Sequence, residues 1–421
     1  PTPMIRPPRT TTDRIFVARM IAGAGVFMQL CCTALAQNFT SQAVNNGAIG
    51  IADFLPIGNG LDLGFGPGPG IKGGAAYGVA AETIYDSNFL LQENNTSSEW
   101  ITTLTPWVNY RTDPEGGAPF SMAANYRPVI QTFLENSDLN GVNQSADISM
   151  NLEGSKTLIT AFGSYLEVAA TDPILNQFVN GSFLNGVVTA TYQVAPRTTL
   201  FASGAASISS FETTALEGAK IYTTAVGALW AATERLRLGP AIRYTSAASD
   251  NTGDSRALAF SIQGEYKVGE KIQIIGSLGW ETIDDSRDDG GGRSGITGGL
   301  TANYALTERL AWSNSVQYVT VPSPSEENFV VNNLSITTAL NRELLRANIG
   351  LGLSLNVGTY DGVGPVVTQL EDDRNFGIFI SYQRRFLHDR LEFDSRVRYS
   401  VNSGNVDWSQ VQVTAGLELQ F

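Results

Sequence analysis

Charged side chains alternate with apolar ones in three stretches, and this spacing is the feature of the sequence with the most chemical content. In residues 391–401 most even positions carry a charge and most odd positions are apolar; residues 236–244 and 345–357 repeat the alternation. The charged residues of these stretches, with the arginine just before the second, are Arg235, Arg237, Arg243, Arg346, Glu392, Asp394, Arg396 and Arg398. Because successive side chains of a strand point to opposite faces, these residues share one face of their strands.

That charged face is expected to line a water-filled interior. An arginine or lysine facing lipid at the bilayer midplane costs about 2–4 kcal/mol, so a charged face in a membrane barrel turns inwards. Opposed charges on a pore wall create a transverse field that filters solutes by charge and size. The same residues can instead pair as salt bridges that stiffen the wall, and both roles can hold together.

The sequence offers no set of residues for covalent or metal chemistry. Its only histidine, His388, lies at an expected short turn, and Cys31 and Cys32 fall in a segment expected to be removed. Catalysis needs a nucleophile, a base and an orienting group within reach, and no such set stands out. The acidic run at 284–289 lacks the ligand spacing of an EF-hand loop. We therefore predict no enzyme activity, no cofactor and no metal site.

The element that positions the charged face is clearest at the C-terminus. Residues 411–421 are apolar at every odd position and polar or glycine at every even position, and they end on Phe421. This period of two predicts one long strand with an apolar and a polar face. A soluble edge strand can show the same alternation, but the length, the regularity and the terminal aromatic residue favour the closing strand of an outer-membrane β-barrel.

A repeated unit supports the barrel. An aromatic residue, a few spacers, a tight turn ending in Arg or Lys and a new alternating run recur about every 40 residues, which is also a propeller period. The aromatic members are Tyr192, Trp230, Tyr266 and Tyr304. A propeller blade needs four short strands in that length, whereas only two long runs fit here, as in an outer-membrane hairpin. Aromatic rings at one distance from the turns predict an interfacial girdle.

The fold class predicted is therefore all-β, a transmembrane antiparallel barrel of about 18 strands, with about 16 as the alternative. Short turns are expected on the periplasmic side. Longer loops, including 284–292, 323–328 and 359–373, are expected on the extracellular side. Tyr165 and Phe379 are the clearest aromatic residues expected to point inwards.

The N-terminal part has another composition. Residues 1–36 have the basic, apolar and small-x-small regions expected of a cleaved signal peptide. Residues 37–73 are expected to form a Gly/Pro-rich lead-in, either periplasmic or inside the lumen, and residues 74–421 the barrel. The formal net charge of −13 argues against nucleic-acid binding, which selects basic surfaces. An outer-membrane location follows, with membrane lipid and lipopolysaccharide as the surroundings.

A family resemblance lies in the first part of the predicted barrel. Residues 85–90 (Tyr-Asp-Ser-Asn-Phe-Leu), then Ser98, Glu99 and Trp100, then Leu104 and Pro106, resemble the opening hairpin of the β-barrel porin 2 family of Gram-negative outer membranes. Ser87 and Glu99 replace aspartates that are usual in the family motif. The resemblance implies a porin-like role and gives Phe421 the part of an assembly signal for the barrel-insertion machinery. Some relatives are associated with exopolysaccharide export, which brings polysaccharide-export components into consideration as partners.

The function expected from these features is passive diffusion of small hydrophilic solutes through a charged lumen. Two alternatives stay open: an exopolysaccharide-export pore, and a structural or ligand-binding surface barrel without conductance. The sequence does not indicate the solute, the gating or the oligomeric state.

Overall fold

The structure is a computed structural model, and it describes residues 73–94, 96–112, 119–172, 177–212, 218–249, 253–285, 293–322, 329–362, 372–387, 390–404 and 407–421. The expected signal peptide, nearly all of the Gly/Pro-rich lead-in and His388 lie outside these ranges. Within them, a 3-10 turn at Ser137–Leu139 is the one helical element, and no helix is long and apolar enough to cross a membrane.

Eighteen strands make up almost all of the described chain. The first nine are β1 (Gly74–Asp86), β2 (Glu99–Arg111), β3 (Phe120–Phe133), β4 (Gly141–Glu153), β5 (Thr157–Asp172), β6 (Gln177–Ala195), β7 (Thr198–Phe211), β8 (Ala219–Ala231) and β9 (Leu236–Ser249). The second nine are β10 (Gly253–Val268), β11 (Ile272–Asp285), β12 (Arg293–Thr307), β13 (Leu310–Pro322), β14 (Phe329–Glu343), β15 (Ala347–Gly362), β16 (Asp373–Phe386), β17 (Leu391–Ser403) and β18 (Trp408–Gln420).

The strands form one closed antiparallel barrel. Each strand pairs with its neighbours in the chain, and β1 also pairs with β18, in a register that joins Gly78 to Gln420 and Asp86 to Gln412. The closure leaves no strand edge with unpaired backbone groups. The predicted fold class and the strand number of 18 are confirmed.

Alternating exposure separates two faces along the strands. On the outer face, Ile262 and Leu278 are 66% and 67% exposed, although both are large and apolar. On the inner face, Thr103 and Ser400 are each only 2% exposed, although both are polar. This is the reverse of a soluble protein, and it fits a barrel whose outside is in contact with hydrocarbon.

The two ends of the barrel differ. At one end the connections are tight turns, such as the turn between β10 and β11, where Gly269 adopts a left-handed φ of 66°. Glycine suits that position because it has no Cβ to clash. At the other end the connections are longer, among them the one between β1 and β2. Short turns and longer loops therefore alternate, as predicted, along the chain.

The closing pair of strands is held by its terminal residues. The backbone N–H of Phe421 donates to the carbonyl oxygen of Tyr77 at 2.9 Å, and the two rings stack with centroids 5.7 Å apart. Inside the barrel, the indole of Trp107 lies over Gly78, where a Cβ would be 2.5 Å from a ring carbon. The seam thus depends on an aromatic pair outside and on a glycine inside.

Candidate functional site in the barrel interior

Six of the eight charged residues predicted to line the interior lie on inward positions of two strands. Glu392, Asp394, Arg396 and Arg398 are on β17, and Arg237 and Arg243 are on β9. All six are half-buried, and the residues between them in sequence point outwards, for example Val397 and Ile242. Their alternation in the sequence therefore corresponds to alternation across the barrel wall.

The other two, Arg235 and Arg346, lie in the tight turns and not in the wall. Both side chains are exposed. Their backbone carbonyls accept hydrogen bonds from the N–H of Lys267 and of Arg385 on the neighbouring strands. They follow the phase of the inward face, but the strands β9 and β15 begin only after them, so they belong to the rim.

The four predicted girdle residues lie on the outer face next to the tight turns. Tyr192, Trp230 and Tyr266 are exposed there, and Tyr304 is half-buried because it lies directly across from Trp312 on β13. Their common height is the placement expected of aromatic residues at a membrane interface.

The two aromatic residues predicted to point inwards differ. Phe379 does so, and the guanidinium of Arg396 lies 5.5 Å from the centre of its ring. Tyr165 points outwards, which corrects the prediction. Its cross-strand partner is Leu184, an exposed residue of the outer face, and its hydroxyl donates to Glu167 Oε1 at 2.7 Å. Tyr165 and Glu167 both have polar groups although they lie on the outer face of β5, so the sequence pattern assigned this face of the strand to the interior.

One sector of the inner wall carries an ion pair that spans a strand. Arg243 Nη2 on β9 lies 3.0 Å from Glu281 Oε1 on β11. The residue between them in register, on β10, is Ala259, which is buried beneath the pair. Ala225 and Gly295 continue the same row on either side. Small neighbours leave room for the two long side chains to lie flat along the wall.

A second set lies nearer the tight turns in the same sector. Glu265 accepts from two cations, Arg237 Nη1 at 3.5 Å and Lys267 Nζ at 3.3 Å. Gln273 Nε2 donates to the same carboxylate at 2.9 Å. The carboxylate therefore has partners on β9, on its own strand β10 and on β11.

The other charged sector extends across β16, β17, β18 and β1. Arg385 Nε donates to Glu392 Oε2 at 2.8 Å, and Gln383 Nε2 donates to the other oxygen of Glu392. One row higher, Asp394 and Glu82 flank Gly416, and a Cβ on that glycine would be 2.6 Å from Asp394 Oδ1. Glycine at 416 thus makes space for a carboxylate on the inner wall.

The mouth at the end with the longer connections is shaped by the connection between β1 and β2. Asp86, at the end of β1, accepts hydrogen bonds from Gln410 Nε2 at 2.8 Å, from Gln412 Nε2 at 3.0 Å and from the backbone N–H of Asn88 at 3.0 Å. Asn88 Nδ2 in turn donates to the carbonyl oxygen of Ser409 at 3.0 Å. These four contacts, which we call the Asp86 clasp, fasten the connection to β18.

Beyond the clasp, the connection packs its apolar residues into the mouth. Phe89 is buried against Ile84, Ile101 and Phe133, which are inward positions of β1, β2 and β3. Phe178, near the start of β6, adds a third ring, with its centroid 5.7 Å from that of Phe89. The connection therefore covers part of the mouth and does not extend away from the barrel.

The neighbouring connection, between β3 and β4, is organised by a buried carboxylate. Glu99 Oε1 accepts from the backbone N–H of Leu134 and of Glu135, and Oε2 accepts from the N–H of Asn136. These are charge-assisted bonds, which are stronger than bonds between neutral groups. Asp86 and Glu99 are both motif positions of the resemblance noted in the sequence, but nothing in the sequence indicated what they bind.

The partners Glu265 and Glu281 were also not singled out from the sequence. Glu281 has only neutral residues within two positions of it, and Glu265 has Lys267 as its one charged neighbour there, so neither lies in an extended alternating charge pattern. Only the register across β9, β10 and β11 brings them to the arginines. Among the described residues, no group of His, Cys, Asp or Glu is arranged to hold a metal ion.

Comparison with known proteins gives structural neighbours only. No family model matches the chain, and no curated protein matches it. Solved structures with a similar fold include the unliganded ferric citrate transporter FecA (11% identity, TM-score 0.42, 78% of this chain and 60% of that chain). Another is OccK2 (OpdF) of Pseudomonas aeruginosa, with 12% identity and a TM-score of 0.45 over 82% of this chain and 98% of that chain. A third is OccAB4 of Acinetobacter baumannii, with 9% identity and a TM-score of 0.45 over 84% of this chain and 100% of that chain.

The chain thus spans less than two thirds of the ferric citrate transporter and nearly all of the other two. Similarity of this size carries no information about function.

Proposed function

We propose that the protein is an outer-membrane channel of the porin type, through which small hydrophilic solutes diffuse passively. The observation that carries this proposal is the composition of the inner wall. Ion-paired and neutral polar side chains face the inside on strands whose outer faces are apolar, for example on β9 to β11. A barrel of 16–18 strands is wide enough to hold water rather than a packed core.

The outer face supports the location. Exposed apolar side chains run around the barrel, and Tyr192, Trp230 and Tyr266 lie at the end with the tight turns. We infer that this surface contacts membrane lipid and lipopolysaccharide. The insertion machinery is a further partner of this proposal, with Phe421 as the signal, and the resemblance of residues 85–106 to the porin 2 family agrees with it.

The export alternative is less well supported by the interior. A glycan passing through would be expected to slide along exposed aromatic faces. The inward aromatic residues Trp107, Phe183 and Phe201 are instead buried against the wall, and Phe379 lies under Arg396. Export components as partners are therefore not part of the proposal.

Swelling of liposomes that contain the purified protein tests the proposal. Liposomes loaded with a large polymer and diluted into isotonic arabinose should swell quickly, and swelling should slow for sucrose and for larger sugars. Liposomes that carry the heat-denatured protein are the control. Equal, slow swelling with and without the folded protein would contradict a diffusion channel and would favour a barrel without conductance.

A further inference from the structure

The outer face carries a second level of aromatic residues, towards the longer connections. In five strands that begin after a tight turn, the ninth residue is an exposed, outward aromatic residue: Tyr165, Tyr244, Trp280, Tyr318 and Tyr399. We call these residues the loop-side girdle, and the four predicted girdle residues near the tight turns the turn-side girdle. Aromatic girdles mark the two interfaces of a membrane barrel, so the outer face between them contacts hydrocarbon.

One residue between the girdles differs from the rest of this surface. The outward residues of the described strands are there apolar, aromatic, glycine, serine or threonine, except for Asn314, the fifth residue of β13. Asn314 faces outwards because it alternates with the exposed Trp312, Val316 and Tyr318. It lies four residues from Tyr318, about 13 Å along the strand, and two residues, about 7 Å, from Trp312. Its short side chain therefore reaches neither girdle.

The carboxamide of Asn314 is only half satisfied within the chain. Trp312 Nε1 donates to Thr338 Oγ1 at 2.8 Å, and Thr338 Oγ1 donates to Asn314 Oδ1, also at 2.8 Å. Within the described ranges, the Nδ2 group of Asn314 has no hydrogen-bond partner. Asn314 is half-buried, and its neighbour on β12 is the small Ala302, so Nδ2 is open to the outside. Lipid chains offer no acceptor, and an unpaired polar group in hydrocarbon is costly.

A carboxamide is complementary to a second copy of itself. Nδ2 donates, and Oδ1 has a second lone pair in addition to the one that accepts from Thr338, so two facing amides can form two N–H···O bonds. Copies of the chain insert in the same direction. A two-fold axis along the membrane normal therefore brings Asn314 of one copy to Asn314 of the next at the same depth, in a closed, isologous contact. A partner of another kind would need its own outward amide at this depth.

The surroundings of Asn314 suit contact with another barrel. Leu300, Trp312 and Val316 are exposed apolar residues around it, and Ala302 leaves a shallow depression beside the amide. Apolar packing alone does not drive association in a membrane, because lipid chains are equally apolar; close packing at small residues and hydrogen bonds between chains do. The amide supplies such a hydrogen bond, and the depression lets the surfaces approach.

We propose that the protein forms a dimer in the membrane through the outer face of β12, β13 and β14, with the Asn314 amides of the two copies paired at its centre. The proposal rests on the membrane location inferred above and does not depend on conductance. Each barrel keeps its own lumen, since the contact lies wholly on the outer face.

Energy transfer between donor- and acceptor-labelled copies of the full chain in liposomes tests the dimer. Transfer in the wild type should persist as lipid is added, and an excess of unlabelled wild-type protein should abolish it. Asn314→Leu keeps the size of the side chain and removes the amide. It should shift the protein density at half-maximal transfer at least about tenfold upwards, the usual effect of losing a hydrogen bond in an apolar site.

Gln144→Leu is the matched control. Gln144 is an exposed outward amide of β4, which lies nine strands from β13 and so on the opposite side of the barrel. Its transfer should equal that of the wild type. Each variant is first shown to be folded by its different mobility before and after boiling on a detergent gel.

Two results would overturn the proposal. Wild-type transfer no higher than random encounter predicts would show a single barrel, with lipid against Asn314. Transfer that is equally strong in the wild type and in Asn314→Leu would show that copies meet through another surface. The test is also separate from the channel function: conductance without a dimer contradicts only the dimer, and a dimer without conductance contradicts only the channel.

Discussion

The interior charges are arranged as partners across strands, and this arrangement decides what each of them can do. Arg243 reaches over Ala259 to Glu281, and Arg385 bonds to Glu392 on the adjacent strand. A paired arginine contributes little net field to the lumen, because its carboxylate offsets the charge. Pairs of this kind stiffen the wall.

Arg396 and Arg398 are the residues in which the filter role can be measured. Replacing both with Gln removes two positive charges from the inner face of β17 and leaves Glu82 and Asp394 nearby. We expect the reversal potential in a salt gradient to shift towards cation selectivity. Arg235→Gln is the control, because Arg235 lies exposed in a turn and should change nothing. An unchanged reversal potential in the double variant would mean that these arginines only stabilise the barrel wall and do not select ions.

The Asp86 clasp gives a second prediction about single residues. Asp86→Asn weakens the bonds from Gln410, Gln412 and the Asn88 N–H, and hydrogen bonds to a charged group contribute about 1.5–3 kcal/mol each. The connection between β1 and β2 should become mobile, so single-channel current should become noisier and the detergent-solubilised barrel should melt at a lower temperature.

Asp138→Asn provides the comparison for that variant. Asp138 is exposed in the 3-10 turn of the neighbouring connection, between β3 and β4. It should leave both the current noise and the melting temperature unchanged. Equal behaviour of the two variants would mean that the clasp does not hold the mouth.

How far the sequence predicted single residues depended on their local pattern. Arg237, Arg243 and the charged residues of β17 were found because they alternate with apolar neighbours. Glu265, Glu281 and the Asp86 clasp were not found, because their partners come from other strands and only the register shows them. Tyr165 was misplaced because its neighbours in sequence alternate weakly.

Among the strands, the pairing of β1 with β18 is the element on which closure depends. The sequence predicted a closing strand at the C-terminus, and the register shows that β1 is its partner and where the pairing is tight. Gly78 lies between the backbone of Leu419 and the indole of Trp107. A side chain at 78 has no room unless the seam or the indole moves.

Gly78→Ala should therefore weaken the closure. Overpacking of a well-packed site costs about 1–3 kcal/mol, so the variant should lose its folded gel mobility at a lower temperature than the wild type. Gly204→Ala on β7 is the control, because a Cβ at 204 meets no atom within 4 Å. If the two variants unfold at the same temperature, Gly78 is not a tight point of the seam.

For the strands as a set, the period of two predicted their number and faces well. Most strands alternate clearly enough for local sequence to be sufficient, and β5, which carries Tyr165, is the exception. The connections were less predictable, because Phe89 and Phe178 meet at the mouth from parts of the chain that share no local pattern. Packing of this kind depends on the closed barrel and not on either segment.

The whole molecule combines an apolar outside, a polar inside and a sheet without edges. Neighbouring strands pair along most of the wall, so opening the barrel at one seam exposes polar backbone groups to lipid or detergent. We therefore expect the folded barrel to survive detergent at room temperature. Boiled and unboiled samples should migrate differently on a detergent gel, and equal mobility would contradict the closed barrel.

The central claim is that water and small solutes pass through this barrel, and conductance in a planar bilayer tests it most directly. The purified full chain should produce discrete, long-lived current steps that scale with salt concentration. The steps should be absent for heat-denatured protein. A folded protein that inserts into the bilayer but gives no steps at any voltage would contradict the channel.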